Sequence, residues 1–428
     1  MTGAPRRFLI VNQHGENRGD EAAMRGMIRA IDARYPGSSF VVLAQVRGRG
    51  LQLAFDPQHV RLESMMVPPH EAISLMAYAA GGALGLRRPG WLPRRARAIV
   101  EAYRESDLVI TAPGGPYFGD IYAGHELVHW FFVHLARLHG KPVFQYAPSC
   151  GPFRIAPLNW LRRRFYRWVD VLVVREEISR EHLQGLLGPG ATVHVAADAA
   201  IQDRIRPASR DDYFTGARAH LRHRFLVAVT LQRYRFPGDA DPPARQAAYE
   251  QAVLACLERL ADAKHAHFLF FPQLYGSVHR DVAFHRYIGG RLPAGVTWEV
   301  VDPELDSDGQ RALIGLTDFC VASRYHPQIF ATAHAIPGLF VWYEHKQLGY
   351  LRSLGLERFA FDIRRPDVAG MLAALDEALA RREDLAATLR ERLADTWRLS
   401  ARTTDLLEEL VERSGAADAA PVHAIGAS

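Results

Sequence analysis

The sequence is poor in cysteine. Its three, Cys150, Cys256 and Cys320, stand far apart in apolar runs, which excludes a disulfide framework and a CxxC metal site. Buried thiols in a reducing compartment are expected. Long apolar runs are also missing, and none approaches the roughly 20 residues that a bilayer span needs. The stretch AISLMAYAAGGALGL at 72–86 is shorter and broken by glycines; it reads as a helix packed on a sheet that keeps some ability to touch a membrane surface. The first residues pass straight into a strand, with no apolar segment ahead of a small-residue cleavage site. No leader and a cytoplasmic location are therefore expected. Neither sign of charge is gathered into blocks: 52 Lys and Arg stand against 47 Asp and Glu, for a formal net charge of +5. The basic clusters RRPGWLPRRAR (87–97) and RRRFYR (162–167) are short and mixed with aromatic residues. They read as solvated or interfacial faces with a weak pull on anionic partners, and nothing resembles a nucleic-acid module, so no nucleic-acid partner is expected.

What is present is an alternation of strands and helices. FLIVNQ (8–13), SSFVVLAQ (38–45), DLVITAPGG (107–115), PVFQYAPS (142–149), VDVLVVRE (169–176) and TVHVAADAA (192–200) read as buried strands, with helical patterns between them. Continuous β-branched runs, rather than strict alternation, mark parallel strands covered on both faces. A second set follows: RFLVAVTLQ (224–232), HFLFFPQ (267–273), TWEVVDPE (297–304), DFCVASRYH (318–326) and GLFVWYEH (338–345). At 428 residues the chain is too long for one ordinary core. The pattern predicts an N-terminal α/β domain over 1–205, a linker over 206–223, a C-terminal α/β domain over 224–365, amphipathic helices over 366–413 and a flexible tail over 414–428. Two Rossmann-like domains facing each other across a cleft, the GT-B arrangement, are expected, with ligands between the strand ends.

Chemistry is expected at those strand ends. Arg324 and His326 follow DFCVA, and Lys346 follows the next strand. Exposed amides at a helix start, with cations beside them, suit a phosphate or carboxylate. Taken singly, Arg324 fits an ion pair, His326 a satisfied core residue and Lys346 a solvated one; together they favour an anion site. Arg175 follows VDVLVV, where a salt bridge to Glu176 and a cap from Ser179 are the plain alternative. Gly114 and Gly115 end another strand and allow close backbone approach to a ligand. GENRGDE (15–21) joins the first strand to a helix. It lacks the third glycine of a dinucleotide fingerprint and the GK[ST] of a P-loop, so Asp20 serves either as helix cap or as site residue, and Gly15 and Gly19 as turn residues. No spacing of His, Cys, Asp and Glu suits a metal, so neither a metal nor a cofactor is expected.

The order of these segments resembles the polysaccharide pyruvyl transferase family: NRGDEA (17–22), APGGP (112–116), REEIS (175–179), AADAA (196–200), SRYH (323–326) and IPGLFVWYEHK (336–346). The likeness runs from about residue 8 to about residue 355. It implies a GT-B-like fold and transfer of the pyruvyl group of phosphoenolpyruvate onto hydroxyls of a sugar, giving a ketal and inorganic phosphate. The family's donor-binding arginine, histidine and lysine match Arg175, His326 and Lys346, with Arg324 close by. His326 then either protonates the donor or neutralises its phosphate. Asp20 and Glu21 are the candidates for deprotonating the acceptor, which Asn17, Gly114, Gly115 and Tyr117 would help to hold. Tyr117, Phe118 and Tyr122 read either as a sugar-stacking surface or as core. Gln232 precedes Arg233 where many members place an arginine, and the bulkier YFGDIY follows GGP; both leave the acceptor open between a cell-surface polysaccharide and a secondary-metabolite or other nonpolymeric acceptor. Two other functions share the plan: a nucleotide-sugar glycosyltransferase clamping a diphosphate with the same cations, and a noncatalytic binding protein. Helical surfaces are able to support a homodimer, with no pattern that specifies one.

Overall fold

A computed structural model describes residues 3–15, 17–45, 55, 58–85, 88–115, 118–274 and 280–419. The first domain is built on seven strands: β1 (Arg7–His14), β2 (Ser39–Gln45), β3 (Val60–Ser64), β4 (Leu108–Thr111), β5 (Val143–Gln145), β6 (Val171–Val174) and β7 (His194–Val195), in the order β3-β2-β1-β4-β5-β6-β7. The second has six: β8 (Leu226–Thr230), β9 (His267–Phe270), β10 (Thr297–Val300), β11 (Phe319–Ala322), β12 (Gly338–Trp342) and β13 (Ala360–Asp362), in the order β10-β9-β8-β11-β12-β13. Every pairing is parallel. The sequence reading located all of these strands except β3 and β13. In each sheet the strand order reverses at one point, β1/β4 in the first and β8/β11 in the second, and crevices beyond the carboxyl ends at such points are where open α/β sheets bind ligands.

Alternate residues of β1 serve two cores. Leu9 and Val11 face helices belonging to the first domain, whereas Phe8 and Ile10 join an apolar cluster that runs on into the second. The helix Arg18–Arg34 lies at this junction, against the helix Ser307–Ile314. Arg25 bonds Asp306 and Asp308, each at 3.0 Å, and Arg29 bonds Asp308 at 2.7 Å. Backbone pairing closes the seam: the Arg18 amide donates to the Gln273 carbonyl at 3.0 Å, and Asn17 bridges Leu274. The stretch 206–223 holds two short helical turns, Arg210–Tyr213 and Gly216–His223, with Arg210 bound to Asp318 at 2.7 Å. The last helix, Arg382–Ala419, extends into the stretch read as a tail and crosses back to the first domain. There Arg34 pairs with Asp405 at 2.6 Å, and the Tyr146 hydroxyl meets Thr404 at 2.8 Å. Cys150, Cys256 and Cys320 are buried free thiols, as expected.

Candidate active site

β1 leads through a short loop into the helix Arg18–Arg34. Asn17 caps it, its Oδ1 accepting the Gly19 amide at 2.8 Å. Asparagine is favoured there because it satisfies an amide that has no partner inside the helix. The cap considered for Asp20 thus falls to Asn17, and both Asn17 and Asp20 border a cavity of about 240 Å³ between the domains. One residue further is a turn of about 100° round the helix axis, which carries Glu21 into the seam. Its buried carboxylate takes Arg18 at 2.7 Å, Arg25 at 2.8 Å and the Ser307 hydroxyl at 3.2 Å. Glu21 does not border the cavity. Gly19 lies within the helix, outside the positive-φ region, and its value lies in the missing side chain: a Cβ there would stand 1.8 Å from Nδ1 of His326.

The opposite wall comes from the ends of β11 and β12. Arg324 is the N-cap of the helix Tyr325–Ala333, and its side chain is held by Asp281. His326, in the first turn, is buried, with Nε2 at 3.8 Å from Asp198. Lys346 is the second residue of the helix His345–Ser353, which carries a capping box between Glu344 and Gln347. Its Nζ is 2.6 Å from Glu344 and donates to the Gly115 carbonyl at 3.1 Å. Gly114 and Gly115 both have positive φ, at 136° and 85°, which lets the carbonyl of Gly115 turn towards these donors. Arg175 stands one layer behind the cavity wall. It donates to Ser149 at 2.8 Å, to Asp198 at 2.5 Å and to the Gly115 carbonyl at 2.9 Å, and it stacks on the Tyr325 ring at 4.5 Å. Arg175 and Lys346 therefore share one carbonyl, and Arg175 and His326 share one carboxylate.

Four further wall residues, His14, Gln273, Tyr325 and Tyr343, were not picked out in the sequence. His14 ends β1, and Gln273 follows β9, so their strand-end positions were the available signal. Tyr117 lies outside the described residues. Phe118 is core, 4.6 Å from Trp130 between ring centres.

Burial pushes the His326 imidazole down to about 4, a shift that Asp198 and Asp20 only partly oppose and that Arg175 and Lys346 deepen. His14 is also pushed down to about 4, by burial and then by His125 and Lys346. Both rings are thus neutral at pH 7. Burial works against the charge on Asp198, but Arg175, His326 and the Ala200 amide outweigh it and hold its carboxyl below the usual range. Arg324 stays cationic despite burial because Asp281 faces it. Among the described residues no group of three His, Cys, Asp or Glu side chains is placed to hold a metal ion, and no helix is long and apolar enough to cross a membrane.

The arrangement is a small two-sided chamber with cations and a neutral histidine on one wall, and a carboxylate and an amide on the other. A sequence model described as polysaccharide pyruvyl transferase matches residues 17–345, from the first helix cap to the start of the lysine helix. The chain belongs to this family. It is 24% identical over 403 residues to the amylovoran biosynthesis protein AmsJ of Erwinia amylovora, covering 89% of this chain and 93% of that one. Among solved structures it resembles Anabaena Alr3699/HepE, crystallised with UDP-glucose (TM-score 0.57, 12% identity, 95% of this chain and 100% of that one). It also resembles α,α-trehalose 6-phosphate synthase from Burkholderia multivorans (TM-score 0.55, 14% identity, 97% and 100%). These likenesses establish the two-domain GT-B fold for this member of the pyruvyl transferase family.

Proposed function

We propose that the protein transfers the pyruvyl group of phosphoenolpyruvate to two hydroxyls of a carbohydrate or glycosylated acceptor, with no metal or cofactor. The observation that carries this reading is the opposition of Arg324, His326 and Lys346 to Asn17 and Asp20 across one small cavity. Phosphoenolpyruvate carries a carboxylate and a phosphate on three carbons, so it needs two cationic contacts within a few ångströms. Arg324 and Lys346 supply them. Arg175, held by Asp198 and Gly115, fixes the carbonyl against which Lys346 is set and adds its charge from behind.

The first acceptor hydroxyl adds to C2 of the donor while C3 takes a proton, which gives a tetrahedral phosphoketal. The second hydroxyl then replaces phosphate at C2, and its proton leaves with the phosphate. Two hydroxyl protons are lost, one appears in the new methyl group and one on inorganic phosphate. Burial holds His326 neutral, and the donor's negative charges raise its proton affinity. It thereby becomes a proton carrier only when the donor is in place. Asp20 takes the proton of the attacking hydroxyl, and the cations stabilise the departing phosphate.

The test is incubation of the purified chain with phosphoenolpyruvate and candidate saccharides, with and without chelator. Release of inorganic phosphate and an acceptor mass gain of one pyruvylidene unit are expected in both. Consumption of a nucleotide sugar instead, with phosphoenolpyruvate untouched, would overturn the assignment in favour of glycosyl transfer. Loss of turnover in chelator, restored by a divalent ion, would overturn the metal-free mechanism.

A further inference from the structure

Large apolar side chains are exposed very unevenly over this protein. Of the twelve exposed among the described residues, ten lie between Met66 and Trp160, and only Tyr287 and Leu399 lie elsewhere. The helix Pro69–Ala83 packs its Leu75, Tyr78 and Ala79 inward. Its outer face carries Ile73, Met76, Ala77 and Ala80, at i, i+3, i+4 and i+7, and Leu84 follows at its end. This is a helical stripe of the same period as a core-facing one, left in solvent: Ile73 is 63% exposed and Leu84 82%. Trp91 stands exposed in the next turn, and Trp160 is 69% exposed on the helix Ala156–Tyr166. Both helices cover the face of the first sheet that carries Leu9 and Val11, the face turned from the second domain.

Positive charge predominates around this surface, although Glu101 is exposed on the helix Arg94–Glu105 and Glu181 shares a groove with Arg154. Arg88, Arg94 and Arg95 are exposed beside the stripe, and Arg154, Arg164 and Arg167 beside Trp160. The stretch 66–100 contains one acid, Glu71, which is buried and accepts the Ala96 amide at 2.9 Å. The stretch 123–168 contains one acid, Glu126, buried against Arg162 at 2.7 Å. Both carboxylates are thus turned inward, and the outer surface combines apolar side chains with arginine. Such a pairing suits a plane with anionic headgroups above hydrocarbon, where apolar side chains enter the headgroup boundary and arginines meet phosphates. A nucleic acid would use the arginines and leave the stripe wet.

We infer that this flank of the N-terminal domain docks reversibly on an anionic phospholipid bilayer. The helix Ala123–Leu138 links the flank to the chamber: it exposes Leu127 and Val128, and its His129 ring lies 5.7 Å from that of His14 in the cavity wall. Docking therefore brings the headgroup layer near the rim on the first-domain side.

The experiment is sedimentation of the full chain with phosphatidylcholine vesicles and with mixed phosphatidylcholine–phosphatidylglycerol vesicles, and it does not depend on turnover. Binding is expected to the mixed vesicles and to be far weaker to phosphatidylcholine alone. Arg94→Ala with Arg95→Ala should weaken it roughly thirty-fold, at about 1 kcal/mol per arginine. Ile73→Ser with Met76→Ser should weaken it roughly ten-fold through lost apolar burial. Circular dichroism melts verify that each variant is folded, and Trp160→Ser repeats the apolar test on a separate helix. Absence of sedimentation with the mixed vesicles would overturn the inference. So would binding that the serine variants leave unchanged and that a soluble polyanion competes away, since that would mark a basic patch without an apolar anchor.

Discussion

Replacing Gly19 by alanine adds one methyl group and tests how the two walls of the chamber are fitted together. An ideal Cβ would fall 1.8 Å from Nδ1 and 2.2 Å from Cγ of His326, far inside contact distance. The ring has little room to retreat, since Tyr325 lies 5.0 Å away between ring centres and Phe330 6.3 Å. Overpacking of this kind costs about 1–3 kcal/mol, and alanine in a helix returns about 1 kcal/mol relative to glycine. The net loss of about 0–2 kcal/mol is small against a total stability of about 5–15 kcal/mol, so the variant folds. The chemistry fares worse, because moving a catalytic group by about 1 Å costs roughly 100-fold in turnover. The assay pairs a thermal melt with phosphate release at saturating phosphoenolpyruvate. Gly289→Ala is the control: at the end of the helix Arg280–Gly289 in the second domain, its Cβ would meet the Trp298 ring at 2.6 Å, away from the chamber. It should lower the melting temperature while sparing kcat at a temperature where it is folded. Full turnover by Gly19→Ala, with an unchanged melt, would refute the fit of His326 against the first helical turn.

Other perturbations separate the roles of the remaining groups. Lys346→Met should raise KM for phosphoenolpyruvate by roughly ten- to a hundred-fold through loss of a charged contact, whereas His326→Gln should mainly lower kcat, by roughly 100- to 10,000-fold; steady-state kinetics that show a KM effect in both would contradict the proton-carrier assignment. Asp198→Asn leaves the buried Arg175 guanidinium without its carboxylate, and urea titration should show a loss of about 3–5 kcal/mol. Stability should also fall as pH drops from 6.5 towards 4. The imidazoles of His14, His285, His326 and His334 are all pushed down to about 4, so in that window the unfolded chain binds protons that the folded chain does not. Each of these histidines then contributes up to about 2 kcal/mol of destabilisation at pH 5, and a urea midpoint that stays flat between pH 7 and 5 would show that they titrate normally.

The sheets were legible because their strands are buried on both faces and so appear as unbroken apolar runs; VLVV at β6 and FCVA at β11 are examples. β3 and β13 escaped notice because they lie at sheet edges, where VRLES and AFD carry only partial burial and no such run. Much the same holds for the site. Arg324, His326 and Lys346 could be found because each follows a recognisable strand, and strand ends are where such folds place their ligands. The sequence order of Asp20 and Glu21 did not reveal that they face different surroundings, since that depends on the rotation of the helix and on Arg18, Arg25 and Ser307 arriving from different directions. Gly19 read as a turn residue because its reason lies about three hundred positions away, in a histidine of the other domain.

The return of the helix Arg382–Ala419 to the first domain bears on how the chain is made. Leu406, Leu407, Leu410 and Val411 from that helix lie in the same apolar cluster as Phe8, Ile10 and Val171. While the ribosome is still translating the second domain, the first therefore presents an uncovered greasy strip that the helix Arg382–Ala419 has yet to seal. Final consolidation of the N-terminal half must wait for that helix to emerge, and a nascent chain stalled before it should be a client for chaperones.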